Sequence, residues 1–234
     1  MSKIVAITVE YDTPDLLALC HASLERFAPS VRRLVVPGGE GAAYHARGIE
    51  DVRARGLGDA EVVILLDSDT VVCSPEWLDA LTVPLAAGSW AVGGVRNRGD
   101  VEQVYHRGRP MLHASCLAMT RAWFEHVLTF AADPDLDLVR RDTAWRVSAD
   151  APIGKVSVYP FWRASVFPLG VGEYYGAGGT LLWAHLWRGT VWRGSTGAWP
   201  RLKARVSRRA AKVLRHRQMA EAFLAVGWRI VHGG

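Results

Sequence analysis

The sequence predicts an α/β fold in which a mixed, mainly parallel sheet is flanked by helices. Three observations carry this expectation. Strand and helix patterns alternate through the first 80 residues, one strand is apolar throughout, and each change of pattern falls on a turn or capping signal.

The elements follow in order. Ile4-Val5-Ala6-Ile7-Thr8-Val9 is a β run, and Tyr11-Asp12-Thr13-Pro14 turns the chain into a helix. Proline suits the first helical position, and Asp12 or Thr13 supplies a capping oxygen. The helix, roughly 14–28, lines Leu16, Leu17, Leu19, Cys20 and Leu24 along one broad face. A second strand, Arg33-Leu34-Val35-Val36, ends at Pro37-Gly38-Gly39, and a helix over about 42–55 closes at Gly56. Glu61-Val62-Val63-Ile64-Leu65-Leu66 has no alternation, which marks a central strand covered on both faces. It stops at Asp67-Ser68-Asp69, and Ser74-Pro75-Glu76 opens the next helix. Successive strand–helix units of this kind are joined by right-handed crossovers.

The second half is less regular. Trp90 to Val95 and Lys155 to Tyr159 read as strands, and Thr120 to Thr129 as a short helix. Residues 160–199 are rich in tryptophan and glycine and read as a loop-rich binding region. From Trp199 the pattern is helical, with Leu202, Val206, Ala210, Val213 and Leu214 on one face and Arg/Lys elsewhere. The expected organisation is one domain over 1–198, with halves at about 1–95 and 96–198, followed by a basic helical extension over 199–234.

Composition excludes several classes. The chain has 234 residues, half of them apolar, with 22% charged residues and a mean hydropathy of +0.06, so it can bury a full core and is not disordered. No apolar run approaches the ~20 residues of a membrane span. Met1-Ser2-Lys3 leads straight into a strand without a signal-peptide layout, and three scattered cysteines (20, 73 and 116) suit a reducing compartment. The expected location is therefore cytoplasmic. Net charge is +5, but residues 1–184 carry 17 Lys+Arg against 22 Asp+Glu, while residues 185–234 carry 11 against one. A nucleic-acid binder with a uniformly basic surface would not show that split.

Asp67-Ser68-Asp69 is the sharpest chemical feature. Ligands of open α/β sheets bind outside the carboxyl ends of the strands. Two carboxylates one residue apart at that mouth repel each other unless a cation sits between them. Mg²⁺ or Mn²⁺, with their preference for oxygen, would bridge such a pair to a substrate diphosphate. The competing interpretation is that both aspartates cap the loop and helix that follow.

The stretch Ala42-Ala43-Tyr44-His45-Ala46-Arg47-Gly48-Ile49, followed by Gly58 to Thr70, resembles the GT-A glycosyltransferases, particularly family 2-like enzymes. There a helix with an Arg/Asn-x-Gly element precedes the strand that carries Asp-x-Asp. The resemblance covers roughly residues 3–190 and is specific from 42 to 72. It implies a GT-A, Rossmann-like fold and transfer of a sugar from a nucleotide-sugar, with a divalent cation, to an acceptor hydroxyl or amine. Carried over by position, Asp67 and Asp69 would hold metal and diphosphate with Ser68 between them. Thr8, Glu10 and Asp12 would contact base and ribose, and Arg47 would offset phosphate charge or stand as a solvated helix residue. Asp142, in Arg141-Asp142-Thr143-Ala144-Trp145-Arg146, would be the general base of an inverting transfer, or else a helix N-cap. His113 to Arg121 resembles the acceptor-side strand and helix, with His113 as an acceptor contact.

Two departures bear on specificity. Pro37-Gly38-Gly39, with Glu40 beside it, stands where relatives carry an acidic residue for the base, and Arg141 stands where they carry Glu. An arginine beside a carboxylate lowers its pKa and weakens it as a base. His185, in Trp183-Ala184-His185-Leu186-Trp187, suits a third metal ligand by analogy with GT-A enzymes, or a packed core histidine. Trp162, Trp183 and Trp187 would stack on sugar rings or fill the core.

The helix over 199–217 would lie on an anionic membrane, bind an anionic acceptor or RNA, or simply pack on the domain as a solvated helix. A dinucleotide-binding oxidoreductase would need a Gly-x-Gly-x-x-Gly turn that Glu10 to Thr13 lacks. A nucleotidyltransferase would share the sheet and metal, but the N-terminus has no Gly-rich phosphate loop. A carbohydrate-binding module would use the tryptophans without the paired aspartates.

Overall fold

The structure, a computed structural model, describes residues 3–10, 13–37, 42–95, 97–98, 102–103, 105–106, 109–131, 143–163, 166–167, 171–186 and 206–233. In chain order the elements are β1 (Ile4–Glu10), α1 (Pro14–Phe27), β2 (Arg32–Pro37), α2 (Ala42–Arg55), β3 (Val62–Asp67), β4 (Thr70–Val72), α3 (Glu76–Ala86) and β5 (Ala91–Val95). Four two-residue strands follow: β6 (Asn97–Arg98), β7 (Glu102–Gln103), β8 (Tyr105–His106) and β9 (Arg109–Pro110). The remainder comprises β10 (Leu112–Thr120), α4 (Arg121–His126), α5 (Trp145–Ala149), β11 (Val156–Tyr159), β12 (Phe161–Arg163), β13 (Val171–Tyr175), β14 (Leu181–Leu186) and α6 (Val206–His232).

The central sheet has six strands in the order β11-β5-β10-β3-β1-β2. β1 is parallel to β2 and β3, β11 is parallel to β5, and β10 is antiparallel to both β3 and β5. Only β10 therefore runs against the other five strands. This is the mixed, mainly parallel sheet that the sequence predicts. β3 lies inside it, and its residues Val63 to Leu66 are at most 1% exposed. Period-2 alternation sorts its neighbours. Val5, Ile7, Val9, Val63 and Leu65 pack toward Ala46, Ile49 and Val52 of α2. Ala6, Ile64 and Leu66 pack toward Cys20 and Leu24 of α1 and Trp77 and Leu81 of α3. Asp67, next in the first series, leaves the sheet on the α2 side.

Residues 160–199 differ from expectation. Instead of loops alone, they contribute β12, β13 and β14 to a second, antiparallel sheet ordered β12-β13-β14-β4. Its fourth strand, β4, is a three-residue segment immediately after Asp69 that the sequence reading passed over. The glycines of 170–179 break the alternation by which strands are recognised. Trp183 is a core residue rather than a sugar platform. It is fully buried, stacked on Tyr174 at 4.6 Å between ring centroids and met edge-on by Tyr159 at 5.5 Å. Trp162 falls in β12, and Trp187 lies outside the described residues.

The C-terminal half of α6 packs on the domain through Ala220, Phe223 and Val231. Phe223 meets Phe167 at 5.0 Å, and Gly227 lets the helix approach Leu19, whose Cδ2 would be 2.5 Å from an added Cβ. Residues 199–205 lie outside the described residues, as do the side chains of 206–216 and with them most of the basic face expected to meet a membrane. Among the described residues no helix is long and apolar enough to cross one.

Candidate functional site

The carboxyl end of β3 gathers the chemically distinctive side chains. Asp67 emerges on the α2 side, where His45 of the first turn of α2 places Nε2 3.6 Å from Asp67 Oδ1. Three residues later the chain enters β4, which pairs with β14 in the register His185↔Thr70. The ladder continues through Leu186, whose N–H donates to the Asp69 carbonyl at 2.9 Å. That pairing delivers His185 to the paired aspartates: its Nε2 lies 3.1 Å from Asp69 Oδ1 and 3.5 Å from Asp67 Oδ2. Asp69 and His185 are buried, and Asp67 is partly exposed.

A fifth group comes from β10. Its ladder with β5 is interrupted between Leu112 and Leu117, so the intervening segment bulges out at the sheet end. Bulges commonly re-aim a side chain beside a site. Here the bulge sets His113 with its ring centroid 5.1 Å from that of His185. One ligand atom each from Asp67, His113 and His185 all lie within 4.8 Å of one another. The bulge is held by Thr70 Oγ1–H, which donates to the Ser115 carbonyl at 2.9 Å, and by Ser115 N–H, which donates to His113 Nδ1 at 3.1 Å.

The anionic field of this end of β3 reaches inward. Burial pushes the Cys20 thiol well above its ordinary range, and Asp69 and Asp67 push it further. Cys116 is driven by burial up to about 12, with Asp67 adding to the rise and the bond from the Trp77 indole opposing it. Both thiols stay protonated at neutral pH and are inert.

The remaining expected site residues are less tightly gathered. Ser68 is buried, with its Oγ 3.5 Å from Thr13 Oγ1 at the start of α1. Thr8 is buried in β1, opposite Leu66 and Val35, and Glu10 is the last residue of that strand. Arg47 is exposed and stands about 200° around α2 from His45. Asp12, Glu40, Arg141 and Asp142 lie outside the described residues. The next described residues after Asp142 lead into α5 through Ala144, which has a left-handed backbone (φ 63°), uncommon for a residue with a Cβ.

No protein-family model and no curated protein matches the chain. Solved structures do resemble it. The mannosyltransferase PcManGT from Pyrobaculum calidifontis, in complex with GDP-Man and Mn2+, aligns over 99% of this chain and 74% of its own at 15% identity and a TM-score of 0.46. An active-site mutant of LgtC aligns over 70% of this chain and 74% of its own at 12% identity, with a TM-score of 0.38. 4-diphosphocytidyl-2C-methyl-D-erythritol synthase from Anaerococcus prevotii aligns over 68% of this chain and 90% of its own at 12% identity, with a TM-score of 0.41. At these scores the likenesses decide neither family nor reaction.

His45 was not singled out by the sequence reading, although it stands inside the stretch that carries the resemblance. A histidine two residues before Arg47 was visible, but which helix face looks at Asp67 depends on how α2 seats on the sheet. His113 was expected near an acceptor. The fold places it beside His185.

Proposed function

We propose that this chain is a GT-A-type glycosyltransferase, similar to family 2 enzymes, that uses a divalent cation and a nucleotide-sugar to glycosylate an acceptor hydroxyl or amine. One observation carries the reading. Two carboxylates and an imidazole nitrogen converge at 3.1 to 3.5 Å on the carboxyl end of a mainly parallel sheet. The residues fit an ion. Ligands about 2.1 Å from an octahedral cation stand about 3 Å apart along each edge, and the Asp69–His185 and Asp67–His185 separations are of that size. Two oxygens with one imidazole nitrogen make a mixed donor set that suits Mn²⁺, with Mg²⁺ as the harder alternative. When bound, the ion supplies charge stabilisation to the departing nucleoside diphosphate.

The chain's own residues account for the rest of the scheme. Asp67, Asp69 and His185 hold the cation. Thr8, Glu10 and Asp12 orient base and ribose at the end of β1, with Ser68 beside Thr13 at the start of α1. Asp142 accepts the proton of the acceptor hydroxyl as the new glycosidic bond forms on the face opposite the leaving group, which inverts the anomeric centre.

A thermal-shift panel of nucleoside diphosphates and nucleotide-sugars with and without Mn²⁺ tests the proposal. The wild type should be stabilised by nucleotide and Mn²⁺ together, and Asp69→Ala should abolish that gain. A shift that survives unchanged in Asp69→Ala places the ligand elsewhere. Asp142→Asn should keep donor binding and lose turnover, and an active Asp142→Asn enzyme would exclude it as the base.

A further inference from the structure

This inference concerns His113 and rests on the glycosyltransferase reading above. The N–H of Ser115 donates to His113 Nδ1 at 3.1 Å. A backbone amide has only a proton to offer, so Nδ1 contributes its lone pair, and the proton of the neutral ring sits on Nε2. A metal-bound histidine has the reverse arrangement: one nitrogen gives its lone pair to the ion while the other donates its N–H to an acceptor. His113 is thus close enough to Asp67 and His185 to be mistaken for their co-ligand, yet its lone pair is already engaged by the backbone. The bond is local to the β10 bulge, which Thr70 ties to β4 through the Ser115 carbonyl. The tautomer is therefore set by the same backbone that aims the ring.

We propose that His113 is not a ligand of the cation but a preset hydrogen-bond donor, with Nε2–H directed to a phosphoryl oxygen of the nucleoside diphosphate bound beside Asp67 and His185. A donor fixed before the substrate arrives needs no reorganisation when negative charge grows on the leaving diphosphate. Bonds of this charge-assisted kind are the stronger class.

The test uses the full chain and two variants. His113→Ala removes the donor. His113→Gln keeps an N–H donor at about the reach of Nε2. Calorimetry with Mn²⁺ alone should give His113→Ala an affinity within about twofold of wild type. With Mn²⁺ present, the affinity of His113→Ala for UDP or GDP should fall about tenfold or more, and His113→Gln should recover most of it. Imidazole ¹⁵N spectra should show the Nε2–H tautomer of His113 before and after Mg²⁺, the diamagnetic stand-in. A tenfold loss of Mn²⁺ affinity in His113→Ala, or transfer of the ring proton to Nδ1 on adding Mg²⁺, would make His113 a ligand and overturn the proposal. Unchanged diphosphate affinity in His113→Ala would overturn it alone. A wild-type chain that takes Mn²⁺ but neither diphosphate would overturn the glycosyltransferase reading, and the donor role with it.

Discussion

His185 Nε2 stands 3.1 Å from Asp69 Oδ1, although Asp69 follows the central strand of one sheet and His185 belongs to a strand of another. The contact depends on β4, which carries the chain from the first sheet into the second within three residues of Asp67 and pairs with β14. Replacing His185 with Ala should lower Mn²⁺ affinity by at least about tenfold, as loss of an inner ligand or its immediate support does. His45→Ala should cost less than about threefold, because 3.6 Å is beyond hydrogen-bonding distance and leaves His45 only a weak hold on Asp67. Mn²⁺ titration by calorimetry ranks the two, and equal losses would place His45 among the ligands.

Glu173 is a fully buried carboxylate that organises the chain before β13. Its Oε1 accepts the N–H groups of Val166 and Phe167 at 2.8 and 2.7 Å, and its Oε2 accepts the Tyr175 hydroxyl at 2.6 Å. Glu173→Ala strips partners from these donors and should destabilise the fold by roughly 2–5 kcal/mol in urea unfolding. Glu173→Gln retains an acceptor oxygen and should lose less. Phe167 also packs on Phe223, so the alanine variant should loosen α6, visible as faster amide exchange over 220–231.

Gly94 is required by a ring. A Cβ there would fall 2.3 Å from Tyr174 Cε1, and Tyr174 is clamped in a stack with Trp183. Gly94→Ala should cost about 1–3 kcal/mol from overpacking. Adding Tyr174→Leu, which withdraws the clashing ring, should cost less than the sum of the single changes. Strict additivity in that double-mutant cycle would show that the clash is not the cause.

His21 provides a pH signature. Burial, followed by the charge of Arg33, holds its imidazole below the ordinary histidine range, with Glu10 acting in the opposite direction. The unfolded chain therefore takes up the His21 proton at a higher pH than the folded chain does. This contribution to stability is present above about pH 6.5 and is lost as pH falls toward the depressed folded value. His21→Gln should flatten the decline in unfolding free energy between about pH 6.5 and 5, and an unchanged slope would assign the decline to other groups.

Much of the first half was legible because its elements are long and cleanly patterned. The apolar run of β3, Pro14 at the start of α1 and Gly56 after α2 each state a local preference that the packed fold keeps. Asp67 and Asp69 were legible as a candidate site because two carboxylates one residue apart at a strand end need a reason wherever they occur. β4 was not legible, since three residues carry no period, and β13 was hidden among glycines. His113 could be seen in the chain, but its orientation comes from a bulge, which exists only relative to β5.

The sequence by itself determined the alternation of strands and helices, the apolar strand at the centre and the carboxylate pair at its end, because each depends on neighbours within a few residues. Only the tertiary structure decided that His45 and His113 come to that pair beside His185, which the resemblance had already named. His45, His113 and His185 reach it from a helix face, a bulge and a second sheet, and contacts of that kind are set by how separate surfaces pack together, which no local pattern encodes.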